Sequence, residues 1–173
     1  MANEEKKEVT KSEDINHLVG KYLTFELKTE MYGLDVMQIM QIIGIPEITP
    51  IPRTPEFVKG VINLRGKIIP VIDLRIRFAL DQEDYTEETA IIIVEVNEEA
   101  GKINIGMIVD KVADVLDIGS EEIERTPSFG VNVESDFILG MAKVKSKIVT
   151  LLNISQILTS EEFVELKSLS EQK

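Results

Sequence analysis

From residue 21 onward, apolar and polar positions alternate in short runs. In 21–27, Leu23, Phe25 and Leu27 share one face, while Tyr22, Thr24 and Glu26 share the other. That period of two is the mark of a half-buried strand. Similar runs recur near 31–36, 43–51, 58–64, 67–74, 89–96, 102–109, 112–118, 138–144 and 147–153, separated by turn-forming stretches at 28–30, 50–55, 65–66, 97–101 and 145–146. Many short strands with frequent turns predict barrels or a sandwich. Helix is scarce. Asp35 is placed to cap a short helix over 36–42, in which Val36, Ile39, Met40 and Ile43 share a face. Ser160 is expected to cap a last helix, with Glu161 and Glu162 at its positive end and Phe163, Leu166 and Leu169 as its apolar stripe.

The pattern repeats within the chain. YLTFEL from Tyr22 overlays IIIVEV from Ile91, and YGLDVMQIMQIIGI from Tyr32 overlays IGMIVDKVADVLDI from Ile105. GVINLRGKIIPVIDL from Gly60 overlays GMAKVKSKIVTLLNI from Gly140. Gly33 then meets Gly106, Ile39 meets Val112 and Lys67 meets Lys147. Three blocks in the same order indicate a duplicated unit of about 60 residues and about five strands, too small to bury much surface alone. The two units are therefore expected to pack together, with matched residues such as Ile39 and Val112 on facing sides of a seam. The division expected is an arm over 1–18, a first barrel over 19–82, a second over 83–158 with strands free to interlace, and a C-terminal helix over 159–173.

Composition narrows the partners. A net charge of −12 over 173 residues argues against nucleic acid, which needs a cationic face, and against anionic lipid. No run of about 18 apolar residues is present to span a membrane. The charged start MANEEKKEVTKSED lacks the apolar stretch of a secretory signal. Zero cysteines exclude disulfides, thiolate metal sites and cysteine catalysis. A soluble cytoplasmic protein is expected.

Chemistry is hard to find. The lone histidine, His17, has no partner fixed near it. No phosphate-binding glycine loop, dinucleotide fingerprint or nucleophile elbow occurs. Asp35, Asp73, Asp110, Asp114 and Asp117 sit mainly at strand or helix ends, where capping comes first. A carboxylate-dependent hydrolase or sugar-binding barrel remains the weaker reading, and it requires two close acids in a concave pocket. No catalytic residue, cofactor or metal is expected. Surfaces suited to partners are clearer. Arg65 stands at a turn between two apolar strands and offers a fan of donors. The segment IPEITPIPRTPEFV (45–58) carries four prolines, which suit an edge and a stiff loop.

YLTFEL, YGLDV, ITPIPRTPEFVKGVINLRGKIIPVIDLR and IGMIVDKVADVL occur in this order in CheW-like proteins, which the chain resembles from about Tyr22 to Leu158. The resemblance implies an all-β fold of two packed SH3-like five-stranded barrels. It further implies a non-enzymatic adaptor that couples the cytoplasmic helical hairpins of chemoreceptors to the regulatory domain of the histidine kinase CheA. Such an adaptor would be recruited to membrane-bound receptor arrays, as a monomer in isolation and a ring member in complex. A detached regulatory domain of a CheA- or CheV-type protein is the alternative. By position, Leu23, Val36, Ile39, Ile42 and Val112 would wall a receptor groove, a helix-in-groove mode. Arg65, from the family's NLRG motif, would act beside it. Many family members carry a glutamate where this chain has Gln41, which removes a charge partner for Arg65. Ile48, Ile51, Pro52 and Phe57 would meet the kinase.

Overall fold

The computed structural model describes residues 17–81, 84–99, 101–124 and 137–171. Residues 1–16 of the arm expected over 1–18 lie outside them, whereas Leu18, its last residue, is buried. Eleven strands follow one another: β1 (Gly20–Leu27), β2 (Glu30–Asp35), β3 (Ile39–Gly44), β4 (Val58–Leu64), β5 (Lys67–Asp73), β6 (Ala90–Glu98), β7 (Gly101–Val109), β8 (Lys111–Ile118), β9 (Ile123–Glu124), β10 (Ile138–Val144) and β11 (Lys147–Leu152). Among the described residues, helices α1 (Leu74–Arg77), after β5, and α2 (Ser160–Glu171), at the end, join them.

The strands form two sheets, ordered β8-β1-β2-β11-β10-β9 and β3-β6-β7-β5-β4. The repeat maps β1 onto β6, β2 onto β7, β3 onto β8, β4 onto β10 and β5 onto β11. Under that mapping the order β8-β1-β2-β11-β10 becomes β3-β6-β7-β5-β4, the second sheet. Register agrees as well. Phe25 faces Val112 in one sheet, and its counterpart Val94 faces Ile39 in the other. Bulges fall at Gly60 and at its counterpart Gly140. The chain is thus a duplication with exchanged strands. Residues 19–82 and 83–158 each contribute strands to both sheets.

Alternation along the strands builds three cores. One sheet curls around Tyr22, Ile118, Ile123, Ala142, Val149 and Leu151. The other curls around Ile62, Ile69, Val71, Ile91, Ile93 and Ile108. The opposite faces of both sheets, with Leu23, Phe25, Leu34, Ile92, Val94 and Met107 among them, meet in a larger central cluster that α2 caps with Phe163 and Leu166. At about 25 cal/mol per Å² of apolar surface, this shared layer supplies the burial that two small barrels lack singly. Gly33 and Gly106 lie where β2 meets β11 and β7 meets β5. A Cβ would stand 3.1 Å from the Leu151 side chain at the first and 2.7 Å from Ile91 at the second.

Three local expectations change. The helix read over 36–42 is a single 3₁₀ turn, Val36–Gln38, followed by β3. Asp35 does cap it, accepting from the Met37 amide at 2.9 Å. Beyond the turn, β-branched Ile39, Ile42 and Ile43 pair with β6, which satisfies more backbone groups than a short helix would. The strand read over 43–51 stops at Gly44. The proline-bearing segment after it is a loop, tied to β4 by reciprocal Thr49–Val61 backbone bonds of 2.9 Å. The cap of α2 is Thr159, one residue before Ser160. Its hydroxyl accepts from the Glu162 amide at 3.1 Å while the Glu162 carboxylate accepts from the Thr159 amide at 2.8 Å, a capping box.

Candidate interaction surface

Strands β3 and β8 each edge one sheet, and both pack on the central cluster. Leu23 is buried in that cluster, opposite Val115 of β8. Val36, Ile39 and Val112 are half-buried against it. Four of the six residues expected in the groove therefore converge on one apolar mass, and the seam beneath them is filled by the protein's own side chains. What remains open is its rim. Ile42 is 43% exposed, Met40 56% and Met37 85%. Val115, which the repeat places over Ile42, is 54% exposed. Exposed apolar side chains at these two edges of a charged protein make them a candidate contact surface. Met37, Met40 and Val115 are absent from the expected set. The repeat could have supplied Val115, because it overlays Ile42. Methionine adapts to varied partners.

Arg65 projects from the β4–β5 turn with φ 54°, and its neighbour Gly66 donates to Asn63 Oδ1 at 2.9 Å. Among the described residues, no hydrogen bond joins it to Gln41. In the proline loop, Ile48 packs on the second sheet's core, Ile51 is half-buried and Pro52 is exposed. Thr54 Oγ1 donates to the Ile51 carbonyl at 3.0 Å, which holds the loop in shape. Phe57 is buried. The Arg77 guanidinium lies 5.1 Å from its ring and 5.0 Å from that of Phe137, its counterpart in the repeat. Phe57 thus anchors the loop rather than lining its outer face.

A buried ion cluster also escaped the sequence reading. Arg75 donates to both oxygens of Asp73, at 3.0 and 2.9 Å, and to Asp110 at 3.0 Å. Hydrogen bonding to Asp73 raises its pKa above the ordinary guanidinium value. Each of Asp73 and Asp110 also accepts from a backbone amide, Arg75 and Lys28 respectively. Among the described residues, no set of acidic or histidine side chains could hold a metal ion, and no helix is long and apolar enough to cross a membrane.

A model of the CheW-like domain matches residues 21–162. The chain belongs to the CheW-like family. Among its relatives, this CheW-like chain is 37% identical to a chemotaxis protein CheW of Klebsiella aerogenes over 142 residues, which cover 82% of this chain and 83% of that one. It is 30% identical to the chemotaxis protein CheW of Treponema pallidum, covering 90% of this chain and 91% of that one. The crystal structure of the scaffolding protein TtCheW from Thermoanaerobacter tengcongensis superposes with a TM-score of 0.74 at 36% identity, over 84% of this chain and 97% of that one. The two packed SH3-like barrels of this family are the two curled sheets described above.

Proposed function

We propose that this CheW-like chain is a non-catalytic adaptor that links chemoreceptor helical hairpins to the kinase CheA. Its family membership across 21–162 and its relatives' role as chemotaxis proteins support the pathway. The observation that carries the receptor contact is the exposed apolar rim of Met37, Met40, Ile42 and Val115 on a filled seam. In this reading Val36, Ile39 and Val112 form its floor, Leu23 backs that floor from below, and Arg65 contributes donors beside it. The proline loop with Ile48, Ile51 and Pro52 offers a preformed face to the kinase, with Phe57 holding it from beneath. A rigid loop loses little entropy on docking.

The test is binding of the purified chain to a receptor cytoplasmic hairpin and, separately, to the CheA regulatory domain. Ile39→Asp and Val112→Glu place an unpaired charge in the floor and should weaken receptor binding at least roughly tenfold. Met40→Glu, on an exposed side chain, should do the same without disturbing the core. Kinase binding should persist in all three. Folded variants that bind the hairpin as the parent does would refute the receptor assignment.

A further inference from the structure

Strands β2 and β11 run parallel in one sheet, as β7 and β5 do in the other. The repeat lays Ile148 over Ile68, Thr150 over Pro70 and Gly33 over Gly106. The two faces fare differently. Over β5 and β7 the chain seats its own helix α2, and Ser170 and Glu171 at its end line the hollow that contains Ile68. Ile68 is half-buried there. Across β2 and β11 only the end of α1 and the residues after it, Arg77 to Leu80, approach, and they line the hollow beside Tyr32 and Leu152, leaving Ile148 60% exposed. A hollow of ≈ 510 Å³ bordered by Met31, Met141 and Ile148 lies on this face. It adjoins one of ≈ 470 Å³ lined by Tyr32, Phe78 and Leu152, and Thr150 borders both.

We propose that the β2–β11 face docks an amphipathic helix of a partner protein, with apolar side chains at i, i+3 and i+6 and a cation in its last turns. The occupant is read from the covered copy. There, α2 presents Phe163, Leu166 and Leu169 at that spacing, and the Lys167 ammonium lies beside Gly101 at the β6–β7 turn. The corresponding β1–β2 turn is flanked by Glu26 and Glu30, which border the open hollow together with the single cation Lys147. A cationic side chain arriving in the place of Lys167 would meet two carboxylates. The site is distinct from the β3–β8 rim and does not depend on the receptor reading.

The probe is a peptide of residues 159–173 of this chain, held helical by a side-chain staple between positions 161 and 165, since so short a helix is marginal alone. It is titrated into the isotope-labelled full chain and followed by amide chemical shifts. Saturable shifts are expected in β2 and β11 below about 1 mM. Ile148→Glu, at an exposed position that leaves folding intact, should weaken them at least roughly tenfold, whereas Ile148→Met should retain them. A peptide with Phe163→Ser and Leu166→Ser should give none. Absence of saturable shifts, shifts confined to β5 and β7 through displacement of α2, or indifference to Ile148→Glu would each overturn the proposal.

Discussion

Arg75 is 1% exposed and carries a full charge, which Asp73 and Asp110 offset by accepting its hydrogen bonds. Removing one partner of a buried pair leaves the other charge stranded, at about 3–5 kcal/mol. Arg75→Ala should therefore lower the denaturation midpoint by that equivalent in urea titration. Asp110→Asn, at the more exposed end, should cost less. Equal losses would show that the Asp110 contact carries the whole effect, against this reading. Tyr32 gives a pH signature. Burial, reinforced by the negative charge of Glu30, pushes its phenol from the ordinary 10.0 up to about 12. Above pH 10 the unfolded chain releases this proton while the folded chain retains it, so deprotonation favours unfolding. The contribution is complete below pH 10 and disappears between pH 10 and 12. Tyr22 and Tyr85 are raised as well, so the whole alkaline limb steepens. Tyr32→Phe isolates one part of it. The stability difference between parent and variant should shift against the parent across that window, and a constant difference from pH 9 to 12 would contradict the shift.

At the scale of elements, the capping box of α2 fixes where that helix begins. Thr159→Ala removes the hydroxyl that accepts from Glu162 and should cost about 1 kcal/mol. Ser160→Ala should cost much less, although Ser160 is the cap expected from the sequence. Thermal melts of the two variants check this order. The misplacement by one residue has a physical origin: Thr159 and Ser160 are both competent caps, but only Thr159 has a glutamate three residues on, Glu162, to complete the capping box, whereas Ser160 has Phe163 there. Strand β1 was legible from its alternation and β6 and β7 from β-branched runs bounded by turns, although all three are buried on both faces, one in a barrel core and one in the central cluster, and not half-buried. The turn at 36–38 was not, because Val36, Ile39, Met40 and Ile43 satisfy a helical period while β6 offers an edge to Ile39, Ile42 and Ile43. That edge comes from residues more than forty positions away, beyond any local window. The candidate surface divides in the same way. Ile39 and Val112 were reachable through the repeat and the family resemblance, whereas the exposure of Met37 and Met40 depends on how the turn presents them.

The exchange of strands makes the whole molecule indivisible at its sequence midpoint. Within residues 17–81 the ladders are the β1–β2 and β4–β5 hairpins alone, because β2 pairs with β11, β5 with β7 and β3 with β6. A single two-stranded hairpin is marginal in water, and this half would hold two of them plus an orphan strand. Residues 84–171 fare similarly: β6–β7 and β9–β10–β11 remain, but β8 loses β1. The central cluster draws on both halves and cannot form in either. Expressed separately as 17–82 and 83–173, each fragment should therefore lack a cooperative unfolding transition and show collapsed amide dispersion. Mixed at equal concentration, the fragments should recover the dispersion of the intact chain, because every missing ladder partner lies in the other fragment. Had the duplication kept its strands at home, each fragment would instead retain a complete five-stranded barrel and melt on its own. Cooperative melting of either fragment alone would mean that the exchanged pairing is dispensable and that the rim at β3 and β8 owes its shape to something other than the shared seam.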